Sequence, residues 1–85
     1  MKKFNYKVKD EAGIHARPAG LIVKTAKEFE SDITLKLGLK SANAKRLFDV
    51  MALGVMHGDD IELIAEGEDE ERAIEKFEKI MRDNF

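Results

Sequence analysis

The 85-residue sequence has no cysteine, no tryptophan and a single proline. A chain without cysteine can form neither a disulfide framework nor a thiolate nucleophile nor a cysteine-based metal site. No apolar stretch approaches the roughly 20 residues that a membrane-spanning helix needs, and the first residues lack the apolar segment of a signal peptide. We therefore expect a cytoplasmic protein that does not insert into membranes.

The sequence also lacks an excess of charge of one sign. Fifteen basic residues face 17 acidic ones, which gives a formal net charge of -2. A large nucleic-acid footprint requires a basic surplus, so nucleic acid is not an expected partner. The distribution is uneven: residues 17–46 contain seven basic and three acidic residues, whereas residues 59–71 contain eight acidic residues and no basic one. Such a division is typical of a protein that docks a charged partner.

The length suits a single domain, residues 1–85. Apolar residues alternate with polar ones at residues 4–8, 33–37 and 61–65, and this period predicts three strands. Gly38 and Leu39 fit a two-residue hairpin turn that leads to a short fourth strand at residues 40–43. Helical periodicity predicts three helices: from Pro18 onward, at residues 47–53 and after Asp69.

The predicted element order is β-α-β-β-α-β-α. Because one of the connections is a hairpin, the sheet cannot be wholly parallel. We therefore predict an α+β fold in which a four-stranded, mostly antiparallel sheet carries three helices on one face.

His15 lies where the loop after the first strand becomes the first helix. The start of a helix presents free backbone N–H groups, here those of Ala16 and Arg17, and the positive end of the helix dipole. Arg17 adds a guanidinium fork suited to phosphate oxygens. Imidazole is a nucleophile that titrates near neutral pH. Together these features predict a histidine that carries a phosphoryl group.

Other interpretations of the polar residues stay open. The same pattern fits a His15 that caps the helix beside a solvated Arg17. His57 is interpreted as a histidine of a surface turn. The acidic run at residues 66–71 is interpreted as a solvated helix start that includes a cap at residues 67–69, because its spacing does not match a calcium-binding loop. Two histidines without a third ligand do not indicate zinc, so we predict no metal and no cofactor.

The second helix is more apolar than a two-turn helix on a sheet can bury. Since Val50 and Leu53 share one face, three other side chains are predicted to be exposed: Leu47, Phe48 and Met51. On the first helix, Leu21 lies outside the buried stripe. The basic residues around this surface are Arg17, Lys24, Lys27, Lys45 and Arg46. An apolar surface with a basic rim predicts a docking site; the alternative is a helix that is buried in a compact domain.

The sequence resembles the HPr family, the histidine-containing phosphocarriers of the bacterial phosphoenolpyruvate:sugar phosphotransferase system. The resemblance covers nearly the whole sequence and is strongest at residues 13–19, at residues 45–54, and at the Gly-Asp and Gly-Glu-Asp motifs of residues 58–59 and 67–69. It implies an open-faced β-sandwich. It also implies a carrier that is a covalent intermediate in a phosphotransferase relay, not an enzyme.

The resemblance further implies the partners and the site. Enzyme I, charged by phosphoenolpyruvate, transfers a phosphoryl group to Nδ1 of the histidine that His15 matches. The carrier then passes the group to the A domain of a sugar-specific Enzyme II. Arg17 matches the phosphate-stabilising arginine of the family. The positions that dock both partners are occupied here by Gly20, Leu21, Lys24, Lys27, Arg46, Leu47, Phe48 and Met51.

Position 46 departs from the family, whose usual residue there is a serine that a dedicated kinase phosphorylates in Firmicutes. Arg46 cannot accept that group, so the resemblance implies the relay but leaves the serine switch in doubt. Asp49 is a second departure, at a position where many members have glycine. Two alternative functions stay open: an HPr-like regulatory module that docks a transcription factor or an enzyme, and a carrier of the parallel nitrogen-related phosphotransferase chain. We expect a monomer.

Overall fold

Four strands form one sheet: β1 (Lys2–Lys7), β2 (Asp32–Leu37), β3 (Lys40–Asn43) and β4 (Asp60–Glu66). The computed structural model describes residues 1–14 and 16–85 and gives the strand order β1-β4-β2-β3. All three pairings are antiparallel, so the sheet that we predicted as mostly antiparallel is antiparallel throughout. The reason is that β1 and β2, which run parallel to each other, are separated by β4 and never pair.

The central strand β4 carries the middle of the core. Leu63 lies opposite Phe4 on one side and opposite Leu35 on the other, and Leu35 and Leu63 are fully buried. Ile61 and Ala65 point to the same face as Leu63, because side chains alternate along a strand. The hairpin between β2 and β3 turns at residues 38–39, as predicted.

Three helices cover this face: α1 (Ala16–Ala26), α2 (Leu47–Ala52) and α3 (Glu70–Asn84). α1 begins two residues before Pro18, which lies in its first turn, where the missing N–H removes no helical hydrogen bond. α2 is one residue shorter than predicted, because Leu53 is its C-cap. Within residues 1–14 and 16–85, no helix is both long and apolar enough to cross a membrane. The buried helical residues include Ala19, Ile22, Val23, Ala26, Val50, Ala73, Phe77 and Met81.

Candidate functional site

The loop before α1 is pressed against the turn at residues 55–59. Gly13 has a φ of 67°, in the left-handed region that favours glycine. A Cβ atom on Gly13 would lie 2.4 Å from the carbonyl oxygen of Val55 and 2.7 Å from Cα of Met56. The next residue, Ile14, is buried and donates its N–H to the same Val55 carbonyl at 3.0 Å. The backbone that leads into position 15 is therefore fixed on its N-terminal side.

Directly after position 15, α1 opens with Ala16, Arg17 and Pro18. Ala16 and Arg17 are exposed. The first N–H groups of an α-helix have no partner within the helix, and the positive end of the dipole lies there. These N–H groups and the Arg17 guanidinium form an accessible environment for an anion such as phosphate. His15, the predicted phosphoryl acceptor, lies outside the described residues.

α2 exposes the side chains that its excess of apolar residues predicts. Phe48 is 82% exposed, and Leu47 and Met51 are each 37% exposed. Val50 and Leu53, by contrast, are buried in the core. The short helix is thus attached through one face and presents an apolar surface on the other.

Basic side chains accompany this apolar surface. Lys24 is exposed on α1, which packs against α2, Lys27 is exposed directly after the end of α1, and Arg46 is exposed at the start of α2. Leu21 is half-buried against the core, so it offers less free surface than its position outside the buried stripe predicts. Apart from the neighbouring residues and backbone of its own helix, no atom of the described residues lies within 4 Å of a Cβ built on Gly20. The α1–α2 patch, as it is called below, comprises Gly20, Leu21, Lys24, Lys27, Arg46, Leu47, Phe48 and Met51.

Arg46 is the N-cap residue of α2. Its carbonyl oxygen accepts the N–H of Val50 at 3.1 Å, and its own N–H donates to the carbonyl oxygen of Asn43 at 3.0 Å. In the described part of the chain its side chain makes no capping hydrogen bond, which agrees with a guanidinium that has donors but no acceptor. A cation at a helix N-terminus is mildly unfavourable locally, and the Arg46 side chain is exposed to solvent.

Asp69 is the N-cap residue of α3, within the cap predicted at residues 67–69, but among the described residues its side chain makes no capping hydrogen bond and binds another loop instead. Its carboxylate accepts the N–H groups of Glu30 and Ser31, each at 2.9 Å, and the Ser31 hydroxyl. The hydrogen bond from the Ser31 hydroxyl, followed by the bond from the Glu30 N–H, lowers the pKa of Asp69 from its ordinary 3.8 to about 2. Because Ser31 and Asp69 are 38 residues apart, no local pattern in the sequence marks this contact.

Two residues of the 55–59 turn border the loop before α1. Met56 is 68% exposed, and its backbone lies against Gly13. His57 is exposed, as predicted for a surface turn, and its Nδ1 lies 3.2 Å from the carbonyl oxygen of Lys9. An apolar side chain after a run such as residues 50–55 predicts burial equally well, so the exposure of Met56 has no sequence signal.

Comparison with known proteins decides the family. A family model described as the PTS HPr component phosphorylation site matches residues 2–83. The chain belongs to the HPr family. Phosphocarrier protein HPr of Buchnera aphidicola subsp. Acyrthosiphon pisum is 51% identical over 69 residues, which are 81% of each chain. The resemblance inferred from the sequence is thereby confirmed.

Solved structures of the HPr family have the same fold. The histidine-containing phosphocarrier protein of a Mycoplasma superposes with a TM-score of 0.93 at 36% identity, covering 96% of this chain and 93% of that one. HPr of Thermoanaerobacter tengcongensis gives 0.91 at 41% identity over 96% and 92%. A structure described as the HPr dimer of that organism gives 0.77 at 41% identity over 98% and 95%. The open-faced β-sandwich predicted from the resemblance is thus confirmed.

Membership of the HPr family establishes the general role. The chain is a phosphocarrier of the phosphotransferase system, which becomes phosphorylated and gives the group up again. It is an intermediate of the relay and not its catalyst. The exposed start of α1 and the adjoining α1–α2 patch are the parts of its surface whose chemistry suits that role.

Proposed function

We propose that His15 is the residue that accepts the phosphoryl group and that Arg17 and the backbone N–H groups of Ala16 and Arg17 stabilise it. The observation that supports this proposal is the exposed start of α1, which follows His15 directly. A ring nitrogen, Nδ1 by the resemblance, attacks the phosphorus atom. The new N–P bond forms as the bond between phosphorus and the donor breaks, and the imidazole keeps its proton on the other nitrogen.

The proposed site is weak enough to release what it accepts. Phosphoryl transfer depends mainly on in-line positioning and on stabilisation of charge. The positive end of α1 disfavours an imidazolium before transfer and favours the phosphate after it. A single guanidinium and one helix end hold a phosphate moderately, so a partner must complete the stabilisation. A carrier needs this property, because a group that is bound too tightly does not move on.

We propose that the α1–α2 patch docks Enzyme I and then the A domain of an Enzyme II. The exposed Phe48 ring is suited to be an apolar anchor, since buried aromatic side chains dominate the energetics of interfaces. Lys24, Lys27 and Arg46 are suited to steer an acidic partner surface toward it. Because both partners would use one patch, they would bind in turn, and phosphate would pass through the carrier without a ternary complex.

The acceptor is tested by incubation with Enzyme I and phosphoenolpyruvate, followed by intact mass spectrometry. We expect one added phosphoryl group that is lost in acid, because protonation makes the phosphoramidate nitrogen a good leaving group. His15→Ala should abolish the addition. His57→Ala, which removes the other histidine of the chain, is the matched control and should still gain one phosphoryl group. Label that persists in His15→Ala, or that is stable in acid, contradicts the assignment.

The exposure of Arg46 supports the relay over a serine-regulated module. A positive side chain at the start of α2 is opposite in charge to the phosphoserine of the family's switch. Ser31 is not a substitute, because its side chain is buried and its hydroxyl is bonded to Asp69, whereas Ser41 is exposed on β3. The Enzyme I that charges the carrier, from the sugar or the nitrogen-related chain, distinguishes the two relays.

The proposal also includes the cellular compartment and the oligomeric state of the carrier. We place the relay in the cytoplasm, as the resemblance implies. The monomer expected from the sequence stays a prediction, and the HPr of Thermoanaerobacter tengcongensis, described as a dimer, shows why molecular mass in solution has to be measured alongside the transfer assay.

A further inference from the structure

The side chain of Asp59 closes the turn at residues 55–59 and is not part of the proposed phosphoryl site. Oδ2 of Asp59 accepts the N–H of Met56 at 2.9 Å. The N–H of Asp59 donates to the carbonyl oxygen of Met56 at 3.0 Å, and its carbonyl oxygen accepts the N–H of Val8 at 2.9 Å. Asp59 directly precedes β4, the central strand. The turn is therefore attached to a strand that is paired on both sides.

One peptide group of this turn connects Asp59 to the loop before α1. The N–H of Met56 and the carbonyl of Val55 belong to the same planar peptide unit. Asp59 holds the N–H end of that unit, and the carbonyl end accepts the N–H of Ile14 at 3.0 Å. Fixing one end of a planar group fixes the direction of the other. A carboxylate on the N–H also polarises the peptide and makes its carbonyl a stronger acceptor.

The contact is tight enough to transmit this orientation. Gly13 lies so close that a Cβ atom on it would be 2.4 Å from the Val55 oxygen. Ile14 and Val55 are both buried, at 5% and 3% exposure. A rotation of the Val55–Met56 peptide therefore moves the Gly13–Ile14 backbone, because the surrounding residues are closely packed and leave no free volume.

We propose that Asp59 is a positioning residue for phosphoryl transfer: through the Val55–Met56 peptide it sets the backbone from which position 15 continues. The inference rests on the proposed function of His15. In-line transfer is sensitive to displacements of about 1 Å, which can reduce the rate by about 10²-fold. Docking depends on α1 and α2, which the turn does not include, so the effect belongs to the transfer step rather than to binding.

The test is steady-state transfer from Enzyme I and phosphoenolpyruvate with varied carrier concentration. Asp59→Ala should lower kcat about tenfold and leave KM within about twofold of the parent. Asp59→Asn keeps an oxygen that can accept the Met56 N–H, so it should restore most of the rate. Asp60→Ala is the matched control: it removes the adjacent carboxylate, which is exposed and pairs with Lys7 at 3.4 Å, and should behave as the parent does. The amide resonance of Ile14 should shift in Asp59→Ala and stay near its parent position in Asp59→Asn and Asp60→Ala.

Several results overturn the inference. They are an unchanged kcat in Asp59→Ala, a loss confined to KM, and an Asp59→Asn variant as impaired as Asp59→Ala. If circular dichroism shows that Asp59→Ala is not fully folded, Asp59→Glu replaces it. Glutamate keeps the charge but moves the carboxylate by one methylene, so kcat should still fall, and a parent-like kcat would contradict the role. A parent chain that is not labelled at His15 refutes the proposed function instead, whatever Asp59 does.

Discussion

The segments before and after α1 each pack closely against a neighbouring loop at a glycine, but they are held there by different hydrogen bonds. Before the helix, Gly13 packs against Val55 and Met56. After it, Ser31 packs against Gly67, whose φ is 154° and whose Cβ, if present, would lie 2.6 Å from Oγ and 2.7 Å from Cα of Ser31. The 11 residues of α1, a helix roughly 16 Å long, lie between these contacts in the chain. Both contacts require glycine, because another backbone or side chain occupies the space of a Cβ atom.

The difference lies in where carboxylates are used. At the far end, Asp69 bonds directly to the backbone of Glu30 and Ser31, and Lys76 of α3 pairs with Glu28 at 2.8 Å. At the reactive end, Asp59 acts one peptide group away from the loop. A carboxylate bonded directly to the start of α1 would occupy the N–H groups that we propose to stabilise the phosphate. The direct carboxylate contact thus lies beyond the end of α1 that is far from the proposed acceptor.

The largest effects are expected from placing a methyl group at each glycine. Gly13→Ala and Gly67→Ala should each lower the free energy of unfolding by about 2–4 kcal/mol, through an unfavourable φ and a steric clash. Their effects on transfer should differ. Gly13→Ala displaces the backbone before His15 and should lower the transfer rate of the folded protein by about 10²-fold, whereas folded Gly67→Ala should transfer at the parent rate.

Denaturant titration gives the stabilities, and single-turnover transfer at a temperature where both variants are folded gives the rates. The comparison of the two ends fails if both variants lose transfer equally, since the fold would then respond as one rigid unit. It also fails if Gly13→Ala transfers as the parent does, since the close contact with Val55 would then have no functional consequence.

A smaller effect is expected on the exposed surface that adjoins the reactive end. Phe48→Ala should weaken binding of Enzyme I by about 1–2 kcal/mol, which is about 5- to 30-fold in Kd, with little change in Tm because the ring is exposed. Leu39→Ala is the matched control, since Leu39 is fully exposed in the hairpin turn and outside the α1–α2 patch. Calorimetry measures both affinities. Equal losses in the two variants, or unfolding of Phe48→Ala, would contradict an anchoring role for Phe48.

The sequence predicts the elements of this fold better than their arrangement. Alternation identified three of the four strands, because a half-buried strand imposes a period of two on its own residues. The short fourth strand was predicted from the hairpin turn that precedes it. The excess of apolar residues on a two-turn helix predicted the exposure of Phe48, since a short helix has only one inner face. The strand order was not predicted, because β1 pairs with β4 across more than half of the chain and nothing in either strand specifies its partner.

The candidate site likewise has residues that the sequence predicts and contacts that it does not. His15 and Arg17 are adjacent in the sequence to the start of α1, so local chemistry and the family resemblance both lead to them. Asp59 and Asp69 belong to the acidic stretch at residues 59–71, and Asp69 also belongs to the predicted cap at residues 67–69. The roles of both residues depend on loops from elsewhere in the chain. A run of acidic residues has the same sequence whether or not such loops approach it, so the sequence does not predict these roles.

Asp69 also provides the smallest and most selective test of the comparison, through pH. Its pKa is about 2 in the folded chain against an ordinary 3.8, so protonation is disfavoured in the native state. A lowered pKa stabilises the fold above the unfolded value, and this contribution disappears as the pH falls from about 4 through about 2. Asp69→Asn should therefore unfold more readily than the parent at neutral pH, and the gap in unfolding free energy between the two should narrow across that window.

Glu68→Gln, at an exposed neighbouring position, controls for the loss of charge and should show no such narrowing. Chemical denaturation at a series of pH values measures the gap. A constant gap would mean that the Ser31 contact does not depend on the charge of Asp69, and a loss of transfer in folded Asp69→Asn would mean that the far end of α1 is not separate from the reactive one.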